Sequence, residues 1–354
     1  MNKKIASAPH IDRDLSWMYF NRRILQEAMK TDVPLLERLS FLGIYSNNLD
    51  EFFRVRMATL SRIAECEDRS LRSESEHAKQ LIKQINKLNN RYAQEYERAI
   101  HEVTDRLREE NIFLLKETEL DEEQQIFVSD FFRRQLSGFV SPVWLSAVKQ
   151  LTEATDENIY LAIKMQVSEA RKVSAARKLP SRTDYALIEL PVPVCGRFIR
   201  LPDREERSYL MYLDDVIRFC LPMIFSGMEY DCFKAYAFKF TKDAEMEIDN
   251  DLRNGTLQKI SKAVKSRKKG DALRVIYDAE MPKDLLKRVM NRLNLDKLDT
   301  VLGGGRYHNH KDLMAFPDCG RCDLKYPRWL PILKPELKEN VSLLRLIQKQ
   351  DRYI

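Results

Sequence analysis

The chain has 354 residues, 44% hydrophobic and 32% charged, with a net charge of +6. That length and mixture suggest two domains, or three, with sizeable cores, and exclude a disordered chain; the modest positive charge permits an anionic partner without demanding one. No run of 18 apolar residues offers a membrane span, the N-terminus lacks the apolar core of a secretory signal, and six cysteines are too few for a disulfide scaffold, which points to reduced thiols in the cytosol.

Residues 1 to 108 read as a helical bundle. Trp17, Phe20, Ile24, Leu25 and Ala28 recur at helical spacing. Asp32-Val-Pro34 breaks that run, and Pro34 suits the first turn of a second helix. Further on, Leu49, Phe52, Phe53 and Arg56 fall at i, i+3, i+4 and i+7, which predicts a helix from about Leu49. Ser46, Asn47 and Asn48 then stand just before it, where such side chains cap free N–H groups. A helix N-terminus also suits an anion or a polar ligand edge, although a polar turn capping a core helix explains the composition as well. Ser73-Glu-Ser-Glu76 has the form of a capping box. The longest helix follows it, with Leu81, Ile85, Leu88, Tyr92, Tyr96, Ile100, Val103 and Leu107 forming one apolar stripe.

Near Glu109-Glu-Asn-Ile112 the period changes. One helix fits Asp121 to about Leu136, ending before Ser141-Pro142. Ile159, Leu161, Ile163, Met165 and Val167 alternate as in a half-buried strand. Tyr185 to Leu190, Phe198 to Leu201 and Tyr209 to Leu213 are further strand candidates, and Asp214 could cap a helix through Ile224. Tyr236, Phe238 and Phe240 alternate again, with Lys239 on the other face. A helix over Arg253 to Lys268, a strand over Ala272 to Tyr277 and a helix over Pro282 to Leu293 complete the region. Strands and helices interleave without a βαβ rhythm, so the predicted fold class is α+β: an all-α helical bundle, then a mixed head domain over 109–320 and an ordered linker over 321–354. That last segment contains Pro327, Pro331 and Pro335 and leads to a short amphipathic helix over Val341 to Gln350.

Several constellations could carry chemistry. Gly303-Gly-Gly-Arg-Tyr-His-Asn-His-Lys-Asp312 combines glycines, which let backbone N–H groups approach an anion, with Arg306, His308 and Lys311 for charge. It lacks the Gly-x-x-x-x-Gly-Lys-Ser/Thr pattern of a P-loop, and a turn entering a helix capped by Asn309 serves equally well. His308 and His310 have no third ligand nearby to make a metal site. Cys319-Gly-Arg-Cys322 lacks a second pair for zinc and reads as two incidental thiols. Lys262 to Lys269 places five basic residues in eight, suited to polyphosphate or to the solvated end of a helix. Aromatic residues are not interleaved there, so specific nucleic-acid binding is not expected. Thr241-Lys-Asp-Ala-Glu245 offers two carboxylates, better suited to ion pairs with Arg253 or Arg274 than to magnesium.

Taken together, Asp12-Arg-Asp-Leu-Ser-Trp-Met-Tyr-Phe-Asn21, Pro34-Leu-Leu-Glu-Arg38 and Phe41-Leu-Gly-Ile-Tyr-Ser-Asn-Asn-Leu-Asp-Glu-Phe-Phe-Arg-Val-Arg56 resemble the opening of the type-1 polyphosphate kinases. The resemblance continues through Arg197-Phe198, Leu201-Pro202, Thr241 to Glu245, Met281-Pro282 and Gly304-Gly-Arg-Tyr-His-Asn309, and so covers residues 11 to 354. It implies reversible transfer of the ATP terminal phosphate to inorganic polyphosphate through a phosphohistidine outside this chain. It further implies magnesium ligands in the absent catalytic domains, and a homodimer or homotetramer in the cytoplasm, with or without peripheral membrane association. His308 and His310 do not match the family's catalytic histidines, and this polypeptide alone is expected to be inactive. Asn48 matches the family's nucleotide-site asparagine. Arg54 and Arg56 follow as candidates for phosphate, and Arg306 and His308 for phosphate or interdomain contact. The rival expectation is a non-catalytic polyanion-binding or dimerisation module, for which the basic run and the net charge speak.

Overall fold

The computed structural model describes residues 11–66, 69–147, 158–167, 182–242, 272–293, 301–330 and 342–351. The first helix, α1 (Arg13–Ala28), is capped by Asp12, whose carboxylate accepts from the Asp14 N–H at 2.8 Å. Helix α2 (Leu35–Phe52) runs on into a π-helical turn over Phe53–Met57 and then α3 (Ala58–Ala64). The helix expected to start at Leu49 therefore starts fourteen residues earlier, and Asn48 lies within it rather than capping it. Leu35, Leu36, Leu39, Leu42, Tyr45, Leu49 and Phe52 are buried on one stripe that spans the polar run. That burial outweighs the roughly 0.5 kcal/mol that each serine or asparagine costs in a helix interior.

Helix α4 (Arg72–Glu109) carries the predicted apolar stripe, with Leu81, Ile85, Tyr92, Tyr96, Val103 and Leu107 buried. Its start differs from expectation: Ser73 and Glu76 lie inside the first turns and form no capping box. A neighbouring hydroxyl ties this end down instead, Ser75 Oγ donating to the Ala64 carbonyl at 2.8 Å.

After β1 (Ile112–Leu115) the chain enters α5 (Glu122–Phe131), opened by a capping box between Asp121 and Gln124. Then come β2 (Val143–Trp144), β3 (Tyr160–Gln166), β4 (Thr183–Glu189), the single turn α6 (Val192–Cys195), β5 (Phe198–Arg200), β6 (Ser208–Tyr212) and α7 (Leu213–Ile224). Asp214 does not cap α7; it sits in the first turn, fully buried against Arg197. Strands β7 (Cys232–Lys242) and β8 (Ala272–Asp278), helix α8 (Lys283–Leu293), β9 (Val301–Gly304) and α9 (Leu343–Lys349) follow. The helix expected over Arg253 to Lys268, the basic run Lys262 to Lys269, and Asp243 and Glu245 lie outside the described residues.

Among the described residues the strands form two sheets, β1-β6-β5 and β2-β4-β3-β7-β8-β9. The larger is antiparallel except for the parallel β8–β9 pair at its edge. Strand β3 was expected to be half-buried, but it is central. Its Leu161, Ile163 and Met165 enter a core with α7, while Tyr160 and Ala162 enter a second core with α8. Alternation in sequence reflected two different apolar neighbours, not one dry and one wet face. The architecture is α+β, a helical region followed by mixed sheets with helices.

The helical region is not sealed on its own. Its core takes in Ile112 and Leu210 of the small sheet, together with Leu313 and Phe316. Leu313 lies in, and Phe316 directly follows, a 3₁₀ turn over His310–Ala315 that lies along α2. The approach requires Gly43, because a Cβ there would stand 2.9 Å from the Met314 backbone nitrogen and 2.7 Å from its Cγ. Further along, Trp329 and Leu330 are exposed, as are Leu343, Leu344 and Ile347 of α9.

Candidate functional site

The alternation of β7 decides where the site forms. Phe238 and Phe240 enter the core under α8, so Lys239 points to the opposite face, toward α2. There its Nζ donates to the Asp50 carboxylate and, at 2.9 Å, to Asn309 Oδ1. Asn309 holds a left-handed backbone at φ 60°. Across the β7–β8 ladder, Lys239 pairs with Ile276 and Thr241 with Arg274, which brings Arg274 to the same face. The Arg274 guanidinium lies 4.2 Å from the Phe53 ring centroid, and its nearest carboxylate oxygen, Asp50 Oδ1, is 3.9 Å away.

These groups line a cleft of about 120 Å³ between α2, α4 and β7–β9, with Tyr45, Asn89 and Glu97 opposite and Gly303–Gly305 and Tyr307–His310 along its edge. The glycines are there for close approach. A Cβ on Gly304 would stand 3.2 Å from the Ile276 side chain, and one on Gly305 would stand 3.2 Å from the Glu97 carboxylate oxygens.

Burial dominates the electrostatics. It pulls Lys239 and Arg274 below their ordinary values against the opposing charge of Asp50. It also raises Glu97, although the Gly305 N–H steadies that carboxylate. Tyr45 is pushed well above the usual phenol range by burial. Burial lowers His310 to about 4 and His308 well below its ordinary value, with the nearby Arg197 and Lys239 adding to both. The loop was expected to draw charge from His308; at neutral pH that ring is uncharged.

The residues singled out from the sequence fall into two groups. Asn48 faces α1, where its Nδ2 donates to Asn21 Oδ1 at 3.2 Å, and Asn21 Nδ2 in turn donates to the Tyr45 carbonyl at 3.1 Å. Arg56 is held on α1 by a two-pronged pair with Asp14 at 2.9 and 3.0 Å, and Arg54 stands 3.6 Å from Glu51. His308 lines the cleft; Arg306, two residues earlier, turns away to Glu117 and Asp215 at 2.6–2.9 Å. Asn48 does not line the cleft, although its neighbours Leu49 and Asp50 do.

Sequence reading missed Asn21, Asp50, Lys239 and Arg274. Asn21 closed a quoted motif, and Lys239 was a lone charge on an alternating strand; both signals were present. Asp243 and Glu245, expected to pair with Arg253 or Arg274, lie outside the described residues; among the described residues Arg274 meets Asp50 and Phe53. Among the described residues no three His, Cys, Asp or Glu side chains gather as a metal site, and Asp50 is already engaged by Lys239. No described helix is long and apolar enough to cross a membrane. Cys319 and Cys322 are free thiols.

Comparison with known proteins gives a consistent result. The family model described as "Polyphosphate kinase N-terminal domain" matches residues 10–115, and "Polyphosphate kinase middle domain" matches residues 123–316. The polyphosphate kinase of Vibrio parahaemolyticus is 35% identical over 320 residues, covering 88% of this chain and 43% of the relative. That of Vibrio vulnificus is 34% identical, covering 97% and 47%, and that of Escherichia coli K12 is 33% identical, covering 89% and 44%. The crystal structure of polyphosphate kinase from Porphyromonas gingivalis shares the fold, with a TM-score of 0.71 at 24% identity, covering 97% of this chain and 46% of that one. The chain thus spans less than half the length of the relatives it matches.

Proposed function

This chain belongs to the polyphosphate kinase family, and we propose that it serves reversible transfer of the ATP terminal phosphate to inorganic polyphosphate, with Asn48 contributing to the nucleotide site. The observation that supports this role is the Asn21–Asn48 contact. Asn21 is buried and anchored on the Tyr45 carbonyl, so it orients the Asn48 amide with Nδ2 inward. Asn48 Oδ1 is left as an acceptor on a partly exposed helix face, suited to the exocyclic amine of adenine. Arg56 is braced by Asp14 on α1 and can add positive charge on that side, whereas Arg54 stands by Glu51.

The phosphorylated histidine we place outside residues 1–354. His310 stacks on Tyr96 with ring centroids 5.2 Å apart, and His308 is buried, so neither ring is presented for in-line attack on a phosphate. Magnesium we assign to the nucleotide phosphates and to residues beyond this chain. The reading includes a cytosolic homo-oligomer, which light scattering on the purified protein tests directly.

Asn48→Ala in a full-length relative should raise the apparent Michaelis constant for ATP about 2- to 10-fold, the loss of one amide hydrogen bond. Stability should move by less than about 1 kcal/mol, since alanine is the better helix former at a mid-helix position. An unchanged Michaelis constant would remove Asn48 from the nucleotide site. Incubating this chain with radiolabelled ATP and magnesium should give no polymer. Acid-labile label on His308 or His310 would overturn the placement of the nucleophile.

A further inference from the structure

We propose that the cleft between α2, α4 and β7–β9 is a binding subsite for a phosphate-class oxyanion, held by Arg274 with Tyr45 and Asn89 as neutral donors. The argument starts from what the cleft leaves unpaired. Tyr45 Oη, Asn89 Nδ2, Arg274 Nε and Nη1 and His308 Nε2 are buried, line the cleft and have no hydrogen-bond partner. Asn89 Nδ2 and the two Arg274 nitrogens can only donate, and a hydroxyl kept from ionising donates as readily as it accepts. No oxygen of Asp50 or Glu97 is left unpartnered in the same way. His308 Nε2 differs: the other ring nitrogen donates to the Ala237 carbonyl, which leaves Nε2 an acceptor on the neutral ring. The remaining unpaired groups, on Tyr45, Asn89 and Arg274, lack an acceptor, which an anion supplies and a cation does not. Water fits less well, because each molecule must also place its own two hydrogens on acceptors.

Charge and shape agree with this. Lys239 commits its ammonium to Asp50 and Asn309, which leaves Arg274 with a carboxylate oxygen no nearer than 3.9 Å. The two unpaired Arg274 nitrogens lie on different edges of the guanidinium, and each can give the anion one charge-assisted hydrogen bond. The free donors come from three directions, α2, α4 and β8, as a tetrahedral oxyanion requires and a planar carboxylate does not. The space of about 120 Å³ is several times what one water needs. Three groups oppose the anion: the Glu97 carboxylate, with Gly305 N–H already on it, the Asp50 carboxylate, engaged by Lys239, and the lone pair of His308 Nε2. The inference leans on the reading above only for the choice of phosphate. Binding is measured without turnover, so its failure would leave the kinase reading standing.

The test is isothermal titration calorimetry and thermal shift on the full chain with inorganic phosphate, against chloride at equal ionic strength. Parallel titrations with inorganic tripolyphosphate and with ATP distinguish free phosphate from the end of a polymer and from a nucleotide. Wild type should bind phosphate and melt higher in its presence. Arg274→Met should weaken binding about tenfold or more, and Tyr45→Phe about threefold. Glu97→Gln should bind more tightly than wild type, an outcome that a purely structural role for these residues does not produce. Should Arg274→Met fail to fold, Tyr45→Phe and Glu97→Gln decide. No phosphate-dependent heat in wild type, equal affinity in wild type and Tyr45→Phe, or weaker binding by Glu97→Gln would each overturn the proposal.

Discussion

Two buried polar clusters lie on either side of the Gly303–Asp312 loop, and they are built on opposite terms. In the first, around α7, every guanidinium has a carboxylate oxygen within 3.0 Å: Arg197 with Asp214, Arg218 with Asp215, and Arg306 with Glu117 and Asp215. Tyr307 Oη adds a donor to Asp215 at 2.5 Å. These charges hold Asp215 below its ordinary value despite complete burial. In the second, around Lys239, two cations share Asp50, and Arg274 is left at 3.9 Å. The first cluster is a fastening in which every charge touches an opposite charge, although Arg197 Nε and Nη1, Arg218 Nη2 and Arg306 Nε make no hydrogen bond of their own. The second is unfinished, and an unfinished buried cluster carries a cost that a ligand can relieve. At equal burial, close ion pairing is thus what sets the two clusters apart.

The comparison can be broken most severely at Asp215. Asp215→Asn leaves Arg218 and Arg306 short of their shared carboxylate, and should cost about 3–5 kcal/mol in urea unfolding of the full chain. A loss under about 1 kcal/mol would mean that the first cluster is no fastening. Next comes acidity. Unfolded histidine takes a proton below about pH 6.5, whereas His310 in the fold stays neutral until about 4. Between those values the unfolded state binds more protons, so stability falls as pH falls, by roughly 3 kcal/mol in all, with His308 acting in the same direction. His310→Phe keeps a ring against Tyr96 and should flatten that part of the profile; an unchanged slope would show that another group titrates there.

Gly43→Ala tests the frame of the second cluster. The added methyl would meet the Met314 backbone where the 3₁₀ turn closes over α2, and should cost about 1–3 kcal/mol by chemical denaturation. The smallest effect is the most telling. Arg274→Met, measured without phosphate, should change stability by less than about 1 kcal/mol, because a poorly paired buried cation contributes little that a packed apolar chain does not. A loss comparable to that of Asp215→Asn would erase the distinction between the clusters.

Much of this molecule was legible before any coordinates. The stripe of α4, the start of a helix at Asp121, and strands β3 to β8 follow from spacing and local chemistry. Where local signals failed, a nonlocal neighbour had won. Ser46-Asn-Asn48 looked like a helix boundary, but the apolar stripe of α2 packs continuously across it. Ser73 looked like a cap, but Ser75 found the Ala64 carbonyl. Of the candidate residues, Asn48 and His308 were placed by motif, but their partners Asn21 and Arg197 had no recognisable spacing to them.

The sequence by itself determined the family, the α+β class and most element positions, because periodicity and motif order are properties of the chain read along its length. Only the tertiary structure decided that Lys239, Arg274 and Asp50 meet, since 189 residues separate Asp50 from Lys239 and β-strand pairing alone carries Arg274 to the same face. Burial then set their chemistry. A lysine, an arginine and two histidines that would all titrate normally in water are shifted downward here because the low dielectric penalises the charged form.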